Sequence, residues 1–407
     1  MPEFKIQPAK LMVKRGGLPN VMAKLQAGEA VTVAYLGGSI TQMDGWRNLT
    51  TQWLRETYPQ AKIKEIHAAI GGTGSDLGVF RLQQDVLRHK PDLLFVEFAV
   101  NDGGATPEQI WRWMEGILRQ TWRANPSTDV CYVYTHCGSY TLHLRGKLNP
   151  PAASADELLA AYYGVPSINV ALRTVQLGEA GKLWYVPPKG PDGKPLPVPR
   201  GVILWSEDDV HPLPAGHEVY AGLIARALKA WASGAKPRPH ELPAPFVADN
   251  WERAGLYRLQ PGMLSPGWKK LSAKEGLGKD FHHRLPEMWT ASRPGEKISF
   301  KFRGVAATLY DLMGPNGGQA IVTLDGKRQK PVPRFDLHCT YYRLAVLGLG
   351  AELPDTVHTV TIEIDAKQPD RRPVTRRVKH EPDFDPKKYE GTVLWAGALA
   401  IVGEIVK

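Results

Sequence analysis

The chain of 407 residues has only three cysteines, Cys131, Cys137 and Cys339. Three thiols at such irregular spacing exclude a disulfide framework and a thiolate zinc site. Long apolar runs are missing too. The longest, around Leu93 to Val100, falls far short of the roughly 20 residues that a membrane span needs. Met1 to Lys10 contains no apolar core of the signal-peptide kind. Together with the odd cysteine, this sets cytoplasm as the expected compartment, although a secreted or periplasmic protein stripped of its leader would read the same. Acidic residues are the minority, 41 against 51 Lys and Arg, for a formal net charge of +10. A basic balance raises nucleic acid as a partner, but the excess is spread over both halves of the chain. No recognition helix or nucleic-acid motif accompanies it. Its densest run, Arg371, Arg372, Arg376, Arg377 and Lys379, lies among prolines and reads as a solvated surface loop. The expectation is a protein without metal, membrane or nucleic acid.

Hydrophobic residues make 43% of the chain and charged residues 23%, ordinary globular stock, while 40 glycines and 34 prolines imply many turns. The length points to two domains. Between residues 31 and 240, strand-like and helix-like patterns alternate. Val31–Leu36 is a β-branched run ending in Gly37-Gly38, after which Trp46, Leu49, Trp53 and Leu54 recur at helical spacing. Ala61–Ile70 ends in Gly71-Gly72, and Leu77, Phe80, Val86 and Leu87 form a second helical stripe. Leu93–Val100 reads as a strand buried on both faces, apart from Glu97. Thr106-Pro107 opens a helix as N-cap and first residue. Asp129–His136 and Ser167–Val170 add two strands, and Ala215–Trp231 a last helix. Such β-α alternation implies a parallel sheet covered by helices on both sides, a three-layer α/β/α domain.

Two proline-rich segments interrupt the pattern. Residues 182–201 read as an excursion, and Ala235–Pro245 as a domain boundary, giving domains at 1–240 and 241–407. Beyond it come short strand candidates: Lys297–Phe302, Ala307–Leu312, Ala320–Leu324, Tyr342–Val346, Thr356–Ile364 and Val393–Val402. No segment there has convincing helical length, so an all-β, jelly-roll-like sandwich is expected.

Ligands of an open parallel sheet bind at the carboxyl ends of its strands. Four segments project there or can return there: Gly37-Gly38-Ser39-Ile40-Thr41, Gly71 to Asp76, Asn101-Asp102, and Ser206 to Pro212. They supply a hydroxyl nucleophile, hydrogen-bond donors, a base and a carboxylate, the set that acyl transfer requires. Each has a plainer reading. Ser39 alone could equally be an N-cap, and Asn101-Asp102 a turn. Gly72, Gly74 and Gly78 come near a dinucleotide fingerprint, but the last spacing is one residue too long and the loop follows the second strand. A lone His211 would be structural. The three-residue step from Asp208 changes that, because it lets a carboxylate orient one ring nitrogen while the other faces a serine. Asp209 is closer in sequence but points elsewhere on a turn, and His217, inside the last helix, reads as packing.

The four segments in this order resemble the SGNH hydrolases, the serine esterase superfamily related to the GDSL lipases, over about residues 31–232. The resemblance implies Ser39 as nucleophile, His211 as base and Asp208 as its orienting carboxylate. Ser39, Gly72 and Asn101 would form the oxyanion hole. It implies no cofactor. One departure stands out: Gly38 occupies the place where the family usually has Asp. The segment 137–201 lacks a long apolar helix that could serve as a lipase lid, which favours a small acyl group on a polar alcohol. The second domain resembles the jelly-roll modules joined to carbohydrate esterases. Trp268, Trp289, Tyr310, Tyr341 and Tyr342 are candidates to stack on sugars, although most would fill the sandwich core. The leading expectation is therefore a carbohydrate O-acetylesterase acting on an oligosaccharide or small-molecule ester. A broad short-chain carboxylesterase or thioesterase is the runner-up, and a glycan-binding module on an inactive hydrolase fold is the non-enzyme reading.

Overall fold

The computed structural model describes residues 2–233 and 236–406, and it divides into two compact units between Glu252 and Arg253. Ala235, at the start of the expected linker, lies outside the described residues. The first unit is built on six strands: β1 (Met12–Val13), β2 (Ala30–Gly37), β3 (Lys62–His67), β4 (Leu93–Glu97), β5 (Asp129–Tyr134) and β6 (Ser167–Asn169). Their spatial order is β1-β6-β5-β4-β2-β3, parallel except for β1. Every residue of β4 and β5 is buried, which is why both read as continuous apolar runs. Edge strand β3 keeps exposed Lys62, Lys64 and His67 side chains. It is shorter than Ala61–Ile70 because pairing stops at His67. Two single bonds, Ala68 N–H to Tyr35 O (2.9 Å) and Ile70 N–H to Gly37 O (3.0 Å), then carry the chain along β2.

Helices α1 (Pro19–Gln26), α2 (Ser39–Gln42), α3 (Trp46–Thr57), α4 (Ser75–Asp85), α5 (Pro107–Ala124), α6 (Thr141–Arg145), α7 (Pro151–Tyr163), α8 (Val170–Glu179) and α9 (Pro214–Trp231) connect and flank these strands. α3 and α8 pack on α9, and α4 and α7 pack on α5, the two helical layers that the alternation implied. Under α3 and α9, Tyr35 of β2 stacks on Phe95 of β4 (5.2 Å between centroids), and Trp46 meets both rings edge-on. Thr106 caps α5 as expected: its hydroxyl accepts from Gln109 N–H while the Gln109 side chain accepts from Thr106 N–H. The proline-rich excursion is closed at its ends by β7 (Leu183–Trp184) pairing with β8 (Ile203–Leu204).

The first unit runs on past residue 240 because the residues after the prolines find partners on it. His240 stacks on Trp122 (4.6 Å) and bonds Asp129 (2.8 Å). The Phe246 and Val247 N–H groups donate to the buried Glu115 carboxylate, Trp251 packs on Phe80, and Glu252 pairs with Arg119 and Arg123.

The second unit is antiparallel. Its strands are β9 (Ala254–Arg258), β10 (Lys269–Lys270), β11 (Trp289–Ala291), β12 (Lys297–Met313), β13 (Gln319–Leu324), β14 (Lys327–Arg328), β15 (Val332–Pro333), β16 (Arg343–Gly350), β17 (Thr356–Ile364) and β18 (Leu394–Val406). The expected strands at 297–302 and 307–312 are one strand of 17 residues. Its first half pairs with β17 and its second with β16, while β18 runs beside both, so β12 serves both layers of a β-sandwich. Ile298, Phe302, Leu309, Val360, Ile362 and Leu399 are among its core residues. Two short helices, α10 (Gly276–Asp280) and α11 (Arg372–Val378), depart from the all-β expectation. The basic run is therefore not a loop. Arg371 at its start donates to the carbonyls of Pro315, Gly317 and Gly391 and sits 4.8 Å from the Phe335 ring centroid, a structural role, whereas Arg372, Arg376, Arg377 and Lys379 are exposed as expected. Of the aromatic candidates, Trp268 and Tyr310 are buried, Trp289 and Tyr342 half-buried, and Tyr341 exposed.

Candidate active site

β2 is the point where the chain reverses its winding direction, since β3 lies on one side of it and β4 on the other. A crevice is expected outside its carboxyl end. Strand β2 ends in Gly37, and Ser39 opens the single turn of α2. Gly38 between them has no room for a side chain: a Cβ there would lie 2.0 Å from Asn101 Oδ1. The missing side chain thus lets the Asn101 carboxamide lie beside the residue that precedes Ser39.

Ser39 Oγ is 2.8 Å from His211 Nε2, and His211 Nδ1 is 2.6 Å from Asp208 Oδ2. A carboxylate can only accept, so the proton belongs on Nδ1, and Nε2 is left to accept from the serine hydroxyl. The other oxygen, Asp208 Oδ1, accepts from the N–H groups of Val210 and His211 and from the Ser206 hydroxyl. This is how the D-x-x-H step works here: one carboxyl oxygen folds the turn and the other addresses the ring. Burial would raise the Asp208 carboxyl, but the His211 backbone and ring, Val210 N–H and Ser206 together hold it well below the usual carboxylate range. Asp208 is therefore an anion at neutral pH. The site is open, with 38% of the His211 side chain and 54% of the Asp208 side chain exposed.

Asp209 has φ of +65°, and its carbonyl accepts from Gly138 N–H, so it packs against the loop after β5. His217 is buried, its Nδ1 accepts from Trp46 N–H, and burial, with His211 nearby, pushes its pKa down to about 4. Both dispositions follow the sequence-based expectation. Gly72 and Asn101 are both exposed. Gly72 has φ of +71°, a left-handed turn position that glycine adopts at no steric cost. The turns bearing them are tied together, because Asp102 accepts from both the N–H and the hydroxyl of Ser75. This glycine loop follows edge strand β3 and opens α4 with Gly74 as N-cap, whereas a dinucleotide fingerprint follows the first strand of its fold.

Bonded to residues on either side of Ser39 in the chain, Gly38 and Thr41, is a carboxylate that the motif reading left without a role. Glu97, 1% exposed, ends β4 and accepts from the hydroxyls of Thr41 (2.7 Å) and Thr135 (2.7 Å), and the Gly38 N–H also bonds it. Burial pushes its pKa up to about 7 against the lowering by these donors. Its signal in the sequence was a single acid inside an apolar strand. Ser206 and Thr135 carried no such signal. No group of three or more His, Cys, Asp or Glu side chains suited to a metal ion occurs among the described residues. Nor is any helix among them long and apolar enough to cross a membrane.

Residues 35–219 match the model of the GDSL-like lipase/acylhydrolase family. No curated protein matches the chain significantly in sequence. Among solved structures, a two-domain esterase (CEX) active on acetylated mannans, co-crystallised with mannopentaose, is similar with a TM-score of 0.73. It is 22% identical, and the match covers 99% of this chain and 100% of that one. A further structure of a two-domain CEX esterase active on acetylated mannans gives a TM-score of 0.74 at 22% identity, over 98% and 99% of the two chains. At that identity the likeness is one of fold: an α/β unit followed by an antiparallel β unit.

Proposed function

From a segment, residues 35–219, that belongs to the GDSL-like lipase/acylhydrolase family, we propose that the protein is a serine esterase removing short acyl groups, acetyl above all, from carbohydrate hydroxyls. The observation that carries the reading is the unbroken hydrogen-bonded chain from Ser39 Oγ through His211 to Asp208. Ser39 Oγ attacks the ester carbonyl while His211 Nε2 takes its proton. The imidazolium formed is stabilised by Asp208, and its proton passes to the leaving sugar oxygen. Water then repeats the sequence on the acetyl-serine. The N–H groups of Ser39 and Gly72 and the Asn101 carboxamide are the donors for the tetrahedral oxyanion.

Two things favour a polar alcohol with a small acyl group. The triad stands at an open, solvent-exposed edge rather than beneath an apolar lid. The chain also shares its two-unit fold over nearly its whole length with an esterase active on acetylated mannans. An acetylated oligosaccharide is thus the substrate class to test first.

The test is acetate release from acetylated manno- and xylo-oligosaccharides beside a nitrophenyl ester series from acetate to octanoate. Preference for acetate within the series, together with release from the oligosaccharides, supports the reading. Turnover of the nitrophenyl and thioester substrates alone would favour a broad carboxylesterase or thioesterase. Absence of all turnover, with retained glycan binding, would favour a binding module. Ser39→Ala should lower kcat by about 10⁴-fold or more with the fold intact, and His211→Ala by a similar factor.

A further inference from the structure

Gln42 is the last residue of α2, one helical turn from Ser39, and its side chain reaches across to the glycine turn that follows β3. Its Oε1 accepts the Gly71 N–H at 2.6 Å. Gly71 is pressed against the nucleophile turn: a Cβ there would lie 2.7 Å from Gln42 Oε1, 3.5 Å from Ser39 Cβ and 3.7 Å from Ser39 Cα. On the other side of the turn, a Cβ on Gly72 would meet nothing within 4 Å. Thr73 Oγ1–H donates to Ile70 O (2.8 Å), and Ile70 N–H to Gly37 O (3.0 Å). The glycine pair is therefore fastened before it at Ile70 and beside it by one side chain, and is open elsewhere.

We infer that Gln42 is a positioning residue for the oxyanion hole: by holding the Ile70-Gly71 peptide it fixes the orientation of Gly71, and so of the following peptide, whose Gly72 N–H points where negative charge develops beside Ser39. The inference rests on the esterase reading of the site. Its physical basis is the freedom of two consecutive glycines, which have wide ranges of φ and ψ. A donor stabilises a transition state best when its direction is set before the charge appears. Removal of the Gln42 acceptor frees Gly71 to rotate, and with it the peptide that carries the Gly72 N–H. The loss belongs to the transition state, so it appears in kcat and not in substrate binding.

The experiment compares wild type, Gln42→Leu, Gln42→Glu and Ser39→Ala on nitrophenyl acetate, with a thermal melt of each. Gln42→Leu is expected to lose about 10- to 100-fold in kcat while KM stays within about twofold. Its Tm should stay within about 2 °C, because Gln42 is exposed. Gln42→Glu retains an acceptor of the same length and should recover a large part of that loss. Wild-type kcat in Gln42→Leu would overturn the inference, as would equal losses in the Leu and Glu variants or a change confined to Tm. The Ser39→Ala arm separates the two levels: a fully active Ser39→Ala removes the esterase reading itself. An inactive Ser39→Ala beside a fully active Gln42→Leu removes only the role of Gln42.

Discussion

At the scale of single residues, Gly38 carries more than its size suggests. Its lack of a Cβ leaves the space that the Asn101 carboxamide fills. Gly38→Asp, which restores the residue common in the resembled family, should therefore lower activity rather than raise it. The new side chain displaces Asn101, and, with Asn101 in its proposed role, the expected loss is about 10²- to 10³-fold in kcat, the cost of one oxyanion donor. Asn101→Ala should give a loss of the same order with little change in KM, and the double variant little more than either alone. Steady-state kinetics of the three variants check this, and fully additive losses would count against it. The residues of the proposed triad could be nominated from the sequence because the Asp208–His211 spacing and the glycines before Ser39 are local signals. Asn101 was legible only as a turn beside a strand end. That Gly38 and Asn101 meet was not legible, since 62 residues of chain lie between two positions that adjacent parallel strands bring together.

At the scale of elements, Glu97 joins three strand ends, accepting from Gly38 after β2 and from Thr135 after β5 while itself closing β4. Its carboxyl binds a proton more tightly in the folded chain, at a pKa of about 7 against 4.5 for an ordinary glutamate. The stabilisation from that difference is fully present below pH 4.5 and is lost as pH rises through about 7, at roughly 1.4 kcal/mol for each pH unit between the two values. Glu97→Gln removes the titration but keeps the shape. The variant should therefore gain in Tm relative to wild type between pH 5 and pH 8, and thermal melts at the two values measure the change. A difference that is flat with pH would place the Glu97 titration elsewhere. Element type was readable from periodicity, whereas element extent often was not. β12 was expected as two strands because Gly304 interrupts the alternation, yet both halves pair with β18 and the strand runs on. α11 was hidden because its arginines and proline read as a loop, while Val374 and Val378, four residues apart, place one buried face on the second unit's own core.

At the scale of the whole molecule, each unit has its own hydrophobic core, and every proposed catalytic residue lies in the first. A fragment ending at Glu252 should fold and turn over nitrophenyl acetate. One ending at His240 should melt several degrees lower. Glu115 would lose two N–H donors, each buried unmade bond costing about 1–3 kcal/mol, and Phe80 would lose the cover of Trp251. Equal melting temperatures for the two fragments would contradict this account of the strap from 241 to 252. By itself the sequence determined the class of each unit, the strand ends at which the candidate site residues collect, and the Asp208–His211 pair. All of these rest on periodicity or on spacing within a few residues, and such patterns act through local geometry. The tertiary structure alone decided that Ser39 lies 2.8 Å from His211, that Glu97 accepts from Thr41 and that Gln42 accepts from Gly71. It also decided that the first unit ends at Glu252. Those contacts join residues far apart in the chain, and their positions follow from strand order and packing, which no local pattern encodes.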